Sequence, residues 1–226
     1  MTTTSVPAGS TDLPLYQPLS HALREGTREV HGKAEGMAFI EALMGGRLGQ
    51  DAYTALAVQQ FAIYAALENA GATLRAAGGD HGLVFDELTR LPAIESDLAH
   101  LIGPDWAARV ELLPATQAYA QRLTACSSDL TLYAAHAYTR YLGDLSGGQV
   151  VKRMVQRHYG VPDQGVSFYD FPAIHRLKPF KDVYRERLDA LPLDDERRAA
   201  TVAEARVAFR LNQAVFAGLG ERFVAA

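Results

Sequence analysis

A glycine-rich segment inside a helix-like stretch constrains this chain more than any other feature. Residues 137–149 read AYTRYLGDLSGGQ and include Gly143, Gly147 and Gly148. A glycine in a helix is less favourable than alanine by roughly 1 kcal/mol, so the three together cost about 3 kcal/mol. Because bare backbone lets another group approach closely, the segment predicts a helix face kept free of side chains for contact with something else.

Helical spacing places four residues of this segment on one stripe: Arg140, Gly143, Asp144 and Gly147. A flat or bulky group can approach the glycines, while Arg140 and Asp144, four residues apart, can organise hydrogen bonds or water above them. A helix crossing is the alternative, since small residues four apart let two helices touch. That interpretation explains Gly143 and Gly147, but it leaves Asp144 and Gly148 unexplained, because a charge at a tight crossing is costly unless paired.

Composition limits the class of protein. The 226 residues are 48% hydrophobic, which suits one well-cored domain, predicted over residues 16–226 after a disordered start at residues 1–15. That start resembles no signal peptide, and no apolar run reaches the length of a membrane span. A net charge of −4 with interspersed signs disfavours nucleic acid and anionic membrane as partners. Cys126 is the only cysteine, which excludes an internal disulfide and favours a cytoplasmic location.

Hydrophobic periodicity near 3.6 dominates the chain and predicts an all-α architecture. Glycine and proline supply the breaks between helices. The predicted helices cover residues 18–34, 38–44, 50–76, 81–91, 94–101, 114–125, 129–159, 172–190 and 193–219.

The first predicted helix carries a candidate iron ligand. Its apolar stripe places His31 on or beside the buried face, with Glu35 one turn further on. Neutral imidazole is a good iron ligand whose second nitrogen usually needs a hydrogen-bond acceptor. A histidine on an apolar stripe is nevertheless more often an ordinary core or boundary residue. Among the six other histidines, His136 is the second candidate because it lies next to the glycine-rich segment, although a structural or pocket-edge role is expected for it.

Two of these segments resemble motifs of the biliverdin-forming haem oxygenases, in the soluble bacterial form. AYTRYLGDLSGGQ resembles the signature of the family, and TREVHGKAE at residues 27–35 resembles its proximal-helix motif. The order and rough spacing of segments are also similar from about Leu19 to Phe223. The resemblance implies a single-domain helical bundle with haem (heme b) sandwiched between a proximal helix and a kinked distal helix. It also implies that His31 binds the haem iron, with Glu35 beside the imidazole.

Basic residues are expected at the anionic edge of the haem, where the two propionates lie. Arg24 precedes His31 by seven residues, about 10 Å along the helix axis, which suits simultaneous contact with iron and propionate. Lys181 and Arg185 share a helix face that on its own would be an ordinary solvated basic face. The resemblance implies that both hold the propionates, and the same role for Tyr138 rests on the resemblance alone.

On the other side of the haem, the resemblance implies a set of residues that orders water: Tyr64, Arg140, Tyr141, Asp144 and Asn212. Gly143 and Gly147 would provide the bare backbone, and Gly148 is expected to belong to the same site. Phe209 and Phe216 share a helical stripe with Asn212, which is typical of core packing and compatible with a wall of the haem cavity.

The implied reaction uses haem as both cofactor and substrate, with O2 and electrons from an external donor, a ferredoxin or a flavoprotein reductase. The products would be biliverdin, CO and ferrous iron, and Arg24, Lys181 and Arg185 favour cleavage at the α-meso position. Asp144 is expected to hold a water that delivers protons. The close backbone at Gly143 and Gly147 is expected to direct oxygen toward the ring edge. A monomer is the default expectation.

Two other classes compete with this interpretation. A haem carrier or sensor that binds without degrading would need His31 and the cations, but not the group of Arg140, Asp144 and Tyr64. An all-α enzyme of the thiaminase-like kind would depend on a cysteine nucleophile. Cys126 lies at a helix end with no base nearby in the sequence, which disfavours this class.

Overall fold

Nine α-helices make up most of the computed structural model, which describes residues 17–224. No strand occurs in this range, so the all-α prediction is confirmed. The predicted disordered start lies outside the described residues. The helices are α1 Leu19–Glu35, α2 Ala38–Met44, α3 Gln50–Ala76, α4 Leu91–Ile102, α5 Pro114–Ala125, α6 Leu130–Gly143, α7 Gln149–Tyr159, α8 Leu177–Asp189 and α9 Asp195–Phe223.

The helix predicted over residues 81–91 is wrong. His81 and its neighbour Gly82 both have positive φ, 47° and 74°, which a right-handed helix cannot accommodate. Turns and one short 3₁₀ segment, Asp86–Leu88, occupy this stretch instead. Helix α4 begins at Leu91, where the Glu68 carboxylate accepts the backbone N–H groups of Arg90 at 2.5 Å and of Leu91 at 3.3 Å. A side chain from α3 therefore satisfies the free donors at this helix start.

The single helix predicted over residues 129–159 is interrupted. A π-helical turn, Asp144–Gly148, separates α6 from α7. Such turns are rare, bend the helix axis and often occur at functional sites. The predicted kink in the distal helix is thus a π turn located at the glycines. Elsewhere, α8 starts five residues later than predicted and α9 continues to Phe223.

Helix α9 packs between α1 and α6 and sets their relative position. On the α1 side, Arg206 Nε donates to the Gly26 carbonyl at 2.6 Å and Gln213 Nε2 donates to the Val30 carbonyl at 2.8 Å. A Cβ atom at Gly26 would lie only 2.4 Å from Cγ1 of Val202, so the glycine is needed for the close helix contact. The two helices that carry the candidate site residues are therefore both held by α9.

Helix α3 runs through the hydrophobic core. Its residues Tyr53, Ile63, Tyr64 and Leu67 are all less than 2% exposed. Burial of such large apolar side chains contributes roughly 1.5–3 kcal/mol each. The Tyr64 hydroxyl is consequently held in a fixed place inside the molecule. Within residues 17–224, no helix is long and apolar enough to cross a membrane.

Candidate active site

The π turn carries a partly buried acid, Asp144, that is hydrogen-bonded to α3. The Tyr64 hydroxyl donates a short hydrogen bond to Oδ2 of Asp144. Arg140, one turn earlier, is 8% exposed and its guanidinium carbon lies 4.8 Å from the Tyr64 ring centroid. Arg140 Nη1 donates to Oδ1 of Asn212 on α9 at 3.0 Å. Four of the five residues predicted to order water thus lie in one cluster, which we call the distal cluster, and the fifth, Tyr141, packs against the Tyr64 ring with 5.9 Å between centroids.

Opposing effects act on the protonation of this cluster. Burial raises the pKa of Asp144 above its ordinary value, while the Arg140 charge, the Tyr64 hydroxyl and the more distant Arg90 act to lower it. Burial also raises the pKa of Tyr64 well above its ordinary value, so the phenol remains a donor. Burial disfavours the Arg140 charge, but Tyr64 and Asp144 more than compensate and raise its pKa. The net effect is a raised pKa for Asp144, with burial as the largest cause.

The three glycines of the segment divide into two kinds. Gly143 and Gly147 are exposed, and a Cβ atom at either position would have no heavy atom within 4 Å. A helix crossing therefore does not explain them, since no other helix among residues 17–224 comes within 4 Å of either Cβ position. Gly148 is buried, and its Cβ would lie 3.0 Å from Cδ1 of Tyr169. Gly148 accordingly faces the interior, packed against Tyr169, and does not share the exposed face of Gly143 and Gly147.

His31 lies on the open side of α1. Its side chain is 51% exposed. Of the two predicted positions, on the buried face or beside it, His31 therefore occupies the second. The ring packs edge-on against Phe209 with 5.4 Å between centroids. Oε1 of Glu35 is 3.7 Å from His31 Nε2, too long for a hydrogen bond. The imidazole is thus oriented by Phe209 and remains accessible to a ligand.

His136, the second candidate, is fully buried and has a structural role. Its Nε2 lies 2.9 Å from Oε1 of Glu204 on α9, and Arg122 binds both oxygens of the same carboxylate at 2.7 and 2.6 Å. Burial opposes the charge of Glu204, but Arg122 and His136 outweigh it and lower the pKa of Glu204 to about 2. With its ring packed inside and bonded to Glu204, His136 fixes α6 on α9.

One of the predicted basic residues, Lys181, contacts the glycine-rich turn, and the other two lie near Tyr138. Lys181 Nζ donates to the Ser146 hydroxyl at 3.3 Å, directly beside Gly147. Arg185 is paired with Asp182 at 2.7 Å, and Arg24 is exposed without an ion-pair or hydrogen-bond partner among residues 17–224. Burial raises the pKa of Tyr138, and the charges of Arg185 and Arg24 act to lower it. That electrostatic coupling indicates that both arginines lie near Tyr138.

These features fit a flat ligand with a metal and an anionic edge. An accessible imidazole, a helix face without side chains and a cationic edge are all present. Arg140 Nε is buried and has no hydrogen-bond partner in the described part of the chain, which leaves one donor of the distal cluster available. Phe209 contacts His31 as a wall of this site would, whereas Phe216 stacks on Phe39 of the core with 6.5 Å between centroids.

Cys126 does not fit a nucleophile. Its thiol is fully buried and donates to the Arg122 carbonyl at 3.3 Å. Burial raises the pKa of Cys126 to about 12, so the reactive thiolate is disfavoured. The thiaminase-like interpretation loses its required group.

Sequence reasoning missed Arg90 and the segment at residues 167–170. Arg90 is 4% exposed and acts electrostatically on Asp144 from the start of α4. A single arginine before a proline-containing helix start gives no signal of burial. The contacts that reveal its environment join residues about 80 positions apart.

Fold and site define an all-helical protein with an accessible imidazole on its first helix and a π turn whose outer face carries no side chains. The family model described as heme oxygenase matches residues 17–218. A heme oxygenase from Porphyra purpurea is 38% identical over 212 residues, which cover 93% of this chain and 90% of that protein. The chain therefore belongs to the heme oxygenase family.

Solved structures agree with this assignment. Heme oxygenase-1 from Synechocystis sp. PCC 6803 in complex with heme superposes with a TM-score of 0.86 at 35% identity, covering 91% of this chain and 94% of that one. Heme oxygenase from Leptospira interrogans gives a TM-score of 0.85 at 37% identity, covering 89% of this chain and 100% of that one. The predicted family and fold are confirmed.

Proposed function

We propose that this protein is a haem oxygenase that degrades haem to biliverdin, CO and ferrous iron. The observation that carries the proposal is the hydrogen-bonded acid Asp144 on a π turn whose Gly143 and Gly147 have open space beside them, in a chain that also exposes the imidazole of His31. A carrier would need the imidazole and the open space beside the glycines. The hydrogen-bonded acid suits proton handling, which a carrier does not require.

Haem is the substrate, and when bound it supplies both the iron at which O2 is reduced and the porphyrin that is cleaved. On the proximal side, His31 holds the iron through a neutral imidazole nitrogen. Glu35 is close enough to accept a hydrogen bond from the ring after a small side-chain rotation. Phe209 keeps the ring plane upright against α9.

Lys181, Arg185 and Arg24, with Tyr138 between the arginines, hold the propionates. Charge-assisted hydrogen bonds from these donors fix the rotation of the porphyrin in its own plane. That rotation decides which meso carbon faces the bare backbone of Gly143 and Gly147. The arrangement favours the α-meso position.

Proton handling falls to the distal cluster. Asp144 accepts the Tyr64 hydroxyl hydrogen bond with one oxygen, which leaves the other for a water above the haem. Arg140 is fixed by Asn212, and its positive charge lies beside Asp144. Asp144 then orients this water and passes protons through it, a positioned acid–base role. Gly143 and Gly147 confine the space, so that the ring edge is the nearest oxidisable group.

Electrons come from an external donor, either a ferredoxin or a flavoprotein reductase, because residues 17–224 contain one cysteine and therefore no pair of thiols that could deliver electrons. O2 is the second substrate. The protein is proposed to act as a monomer in the cytoplasm, where its lone buried thiol stays reduced.

Absorption spectroscopy of the purified protein tests the proposal. The protein is mixed with one equivalent of haem, and ascorbate is added under air while CO is trapped. Conversion to a green product that chromatographs as a single biliverdin isomer is the expected result, and α-biliverdin is the isomer expected. Free haem treated in the same way is the control, since nothing there selects one meso carbon. A stable red-brown complex without CO would instead identify a carrier.

A further inference from the structure

A short segment, residues 167–170, lies behind the distal cluster and is held by two opposite charges. Asp97 on α4 accepts the backbone N–H of Ser167 at 2.9 Å and that of Phe168 at 2.8 Å. Arg90, at the start of the same helix, donates from Nη1 to the carbonyl oxygens of Phe168, at 3.0 Å, and of Asp170. The N–H groups of the segment are thereby bound by Asp97 on α4, and its carbonyl groups by Arg90, which immediately precedes α4.

This segment supports both partners of the hydrogen bond between Tyr64 and Asp144. The Phe168 ring packs edge-on against the Tyr64 ring with 5.2 Å between centroids. The Tyr169 ring abuts Gly148 at the end of the π turn, and Gln149 Nε2 donates to the Tyr169 carbonyl at 2.6 Å. A shift of the segment would therefore move the Tyr64 ring and the π turn together.

Arg90 is a buried cation whose bonds all go to neutral groups. Its guanidinium donates to carbonyl oxygens, including that of Leu88 at 3.3 Å, and lies 4.0 Å from the Phe171 ring centroid. No carboxylate lies within ion-pair distance of it among residues 17–224. A buried charge without a bonded counter-ion is costly unless other charges offset it. Burial lowers the pKa of Arg90, and the groups that oppose this include Asp144 and Glu68.

We propose that Arg90 is a positioning residue of the distal site, which fixes residues 167–170 beneath Tyr64 and the π turn and so holds the hydrogen bond between Tyr64 and Asp144 in place. The proposal rests on the proposed function only for the use that the enzyme makes of Asp144. The arrangement of Arg90, the segment and the acid stands independently of haem.

The charged and titratable groups around Asp144 come from several elements. Arg140 faces it from α6, Tyr64 from α3 and Arg90 from the start of α4. Tyr169 and Tyr119 are the other titratable groups that interact with it, both as neutral phenols. A nearby positive charge favours the carboxylate and lowers its pKa, so removal of either arginine raises the pKa of Asp144.

A titration of the haem-free protein separates the contributions of charge and hydrogen bonding. The Asp144 carboxyl carbon is observed by ¹³C NMR and assigned by its loss in Asp144→Asn. Arg90→Gln keeps hydrogen-bond donors but removes the charge, and Arg90→Lys keeps the charge but not the fork that binds two carbonyls. Arg75→Gln is the matched control, because Arg75 pairs with Asp86 at the surface and does not act on Asp144.

The expected result is a higher titration midpoint for Asp144 in Arg90→Gln, a midpoint closer to that of the wild type in Arg90→Lys, and no change in Arg75→Gln. Ring resonances of Phe168 and Tyr64 are expected to move in both Arg90 variants. An unchanged Asp144 midpoint in Arg90→Gln would overturn the proposal. If Arg90→Gln does not fold, unchanged Phe168 and Tyr64 resonances in Arg90→Lys would overturn it equally.

The same variants distinguish this inference from the proposed function. With haem and ascorbate, the acid limb of the pH profile of biliverdin formation should move to higher pH in Arg90→Gln. A wild-type protein that forms no biliverdin would refute the proposed function. The NMR midpoints would still decide the role of Arg90, since they are measured without haem.

Discussion

The proximal and distal sides of the site are built in opposite ways. On the proximal side, His31 is half exposed, touches one phenylalanine and has no hydrogen bond to Glu35. On the distal side, Asp144 and Arg140 are bound to Tyr64 and Asn212 from two other helices. The difference fits the proposed roles, in which the residues that handle protons are held in place without the substrate and the proposed iron ligand stays accessible.

Physical chemistry accounts for this division. A metal ligand must keep a lone pair accessible, so an exposed imidazole with one packing contact is sufficient until iron binds. A buried carboxyl and a buried guanidinium are costly without hydrogen-bond partners, so they persist only where the fold provides those partners. The distal partners come from α3 and α9, which the core already fixes.

The largest effect is expected from His31→Ala, which removes the only group proposed to bind iron. The variant should fold like the wild type, because an exposed side chain contributes little to the core, while its ferric haem spectrum should lose the histidine-ligated form. Biliverdin formation should fall by at least about 10²-fold, since the iron loses its fixed position. His175→Ala, at another exposed histidine, is the control. An unchanged spectrum in His31→Ala would mean that another histidine binds the iron. The contrast between the two sides of the site would then be wrong.

A change on the distal side should separate binding from turnover. Asp144→Ala should bind haem with nearly the affinity of the wild type, because the acid is not a ligand. Biliverdin formation should fall by roughly 10²-fold or more, the usual contribution of a positioned acid or base. Haem titration followed by product chromatography measures both quantities. Normal biliverdin output from Asp144→Ala would refute the role of the acid.

The attachment of the distal helix to α9 should appear as an acid-dependent stability. The pKa of Glu204 is about 2 in the folded protein against an ordinary value of 4.5, so its stabilising contribution is complete above pH 4.5. It is lost as the pH falls toward 2, and amounts to at most about 3 kcal/mol. Urea unfolding across this range should show a shallower loss in Glu204→Gln than in the wild type. Parallel curves for the two proteins would contradict this account of the attachment.

The smallest changes in stability are expected from alanine substitutions at two adjacent glycines of the π turn, Gly147 and Gly148. Gly147→Ala should raise the free energy of unfolding of the haem-free protein by about 0.5–1 kcal/mol, because alanine favours helix and meets no neighbour. The same variant should bind haem less tightly, since the methyl group occupies the bare face. Gly148→Ala should be the less stable of the two proteins, because its Cβ presses on Tyr169. Equal stabilities would show that the two glycines do not differ as the structure indicates.

Local patterns predicted the site where it is continuous in sequence. Periodicity gave the helical class, and the motifs around His31 and Asp144 identified the two faces. Local patterns could not exclude a helix over residues 81–91. What prevents that helix is the left-handed backbone at His81 and a cap for α4 that Glu68 supplies from another helix. The π turn and the inward position of Gly148 depend on Tyr169, and the burial of Arg90 depends on carbonyls about 80 residues away. Such contacts are tertiary and leave no periodic signal.

One measurement tests most directly whether a porphyrin binds between His31 and the bare face of the π turn while the hydrogen bonds of the distal cluster are retained. Amide and side-chain NMR spectra of the isotope-labelled protein are compared before and after addition of gallium protoporphyrin, a diamagnetic analogue of haem. We expect the largest chemical shift changes at residues 27–35 and at the Gly143 and Gly147 amides, with the hydrogen bond from Tyr64 to Asp144 retained. Shifts concentrated elsewhere, or a distal cluster that forms only with the porphyrin, would contradict it.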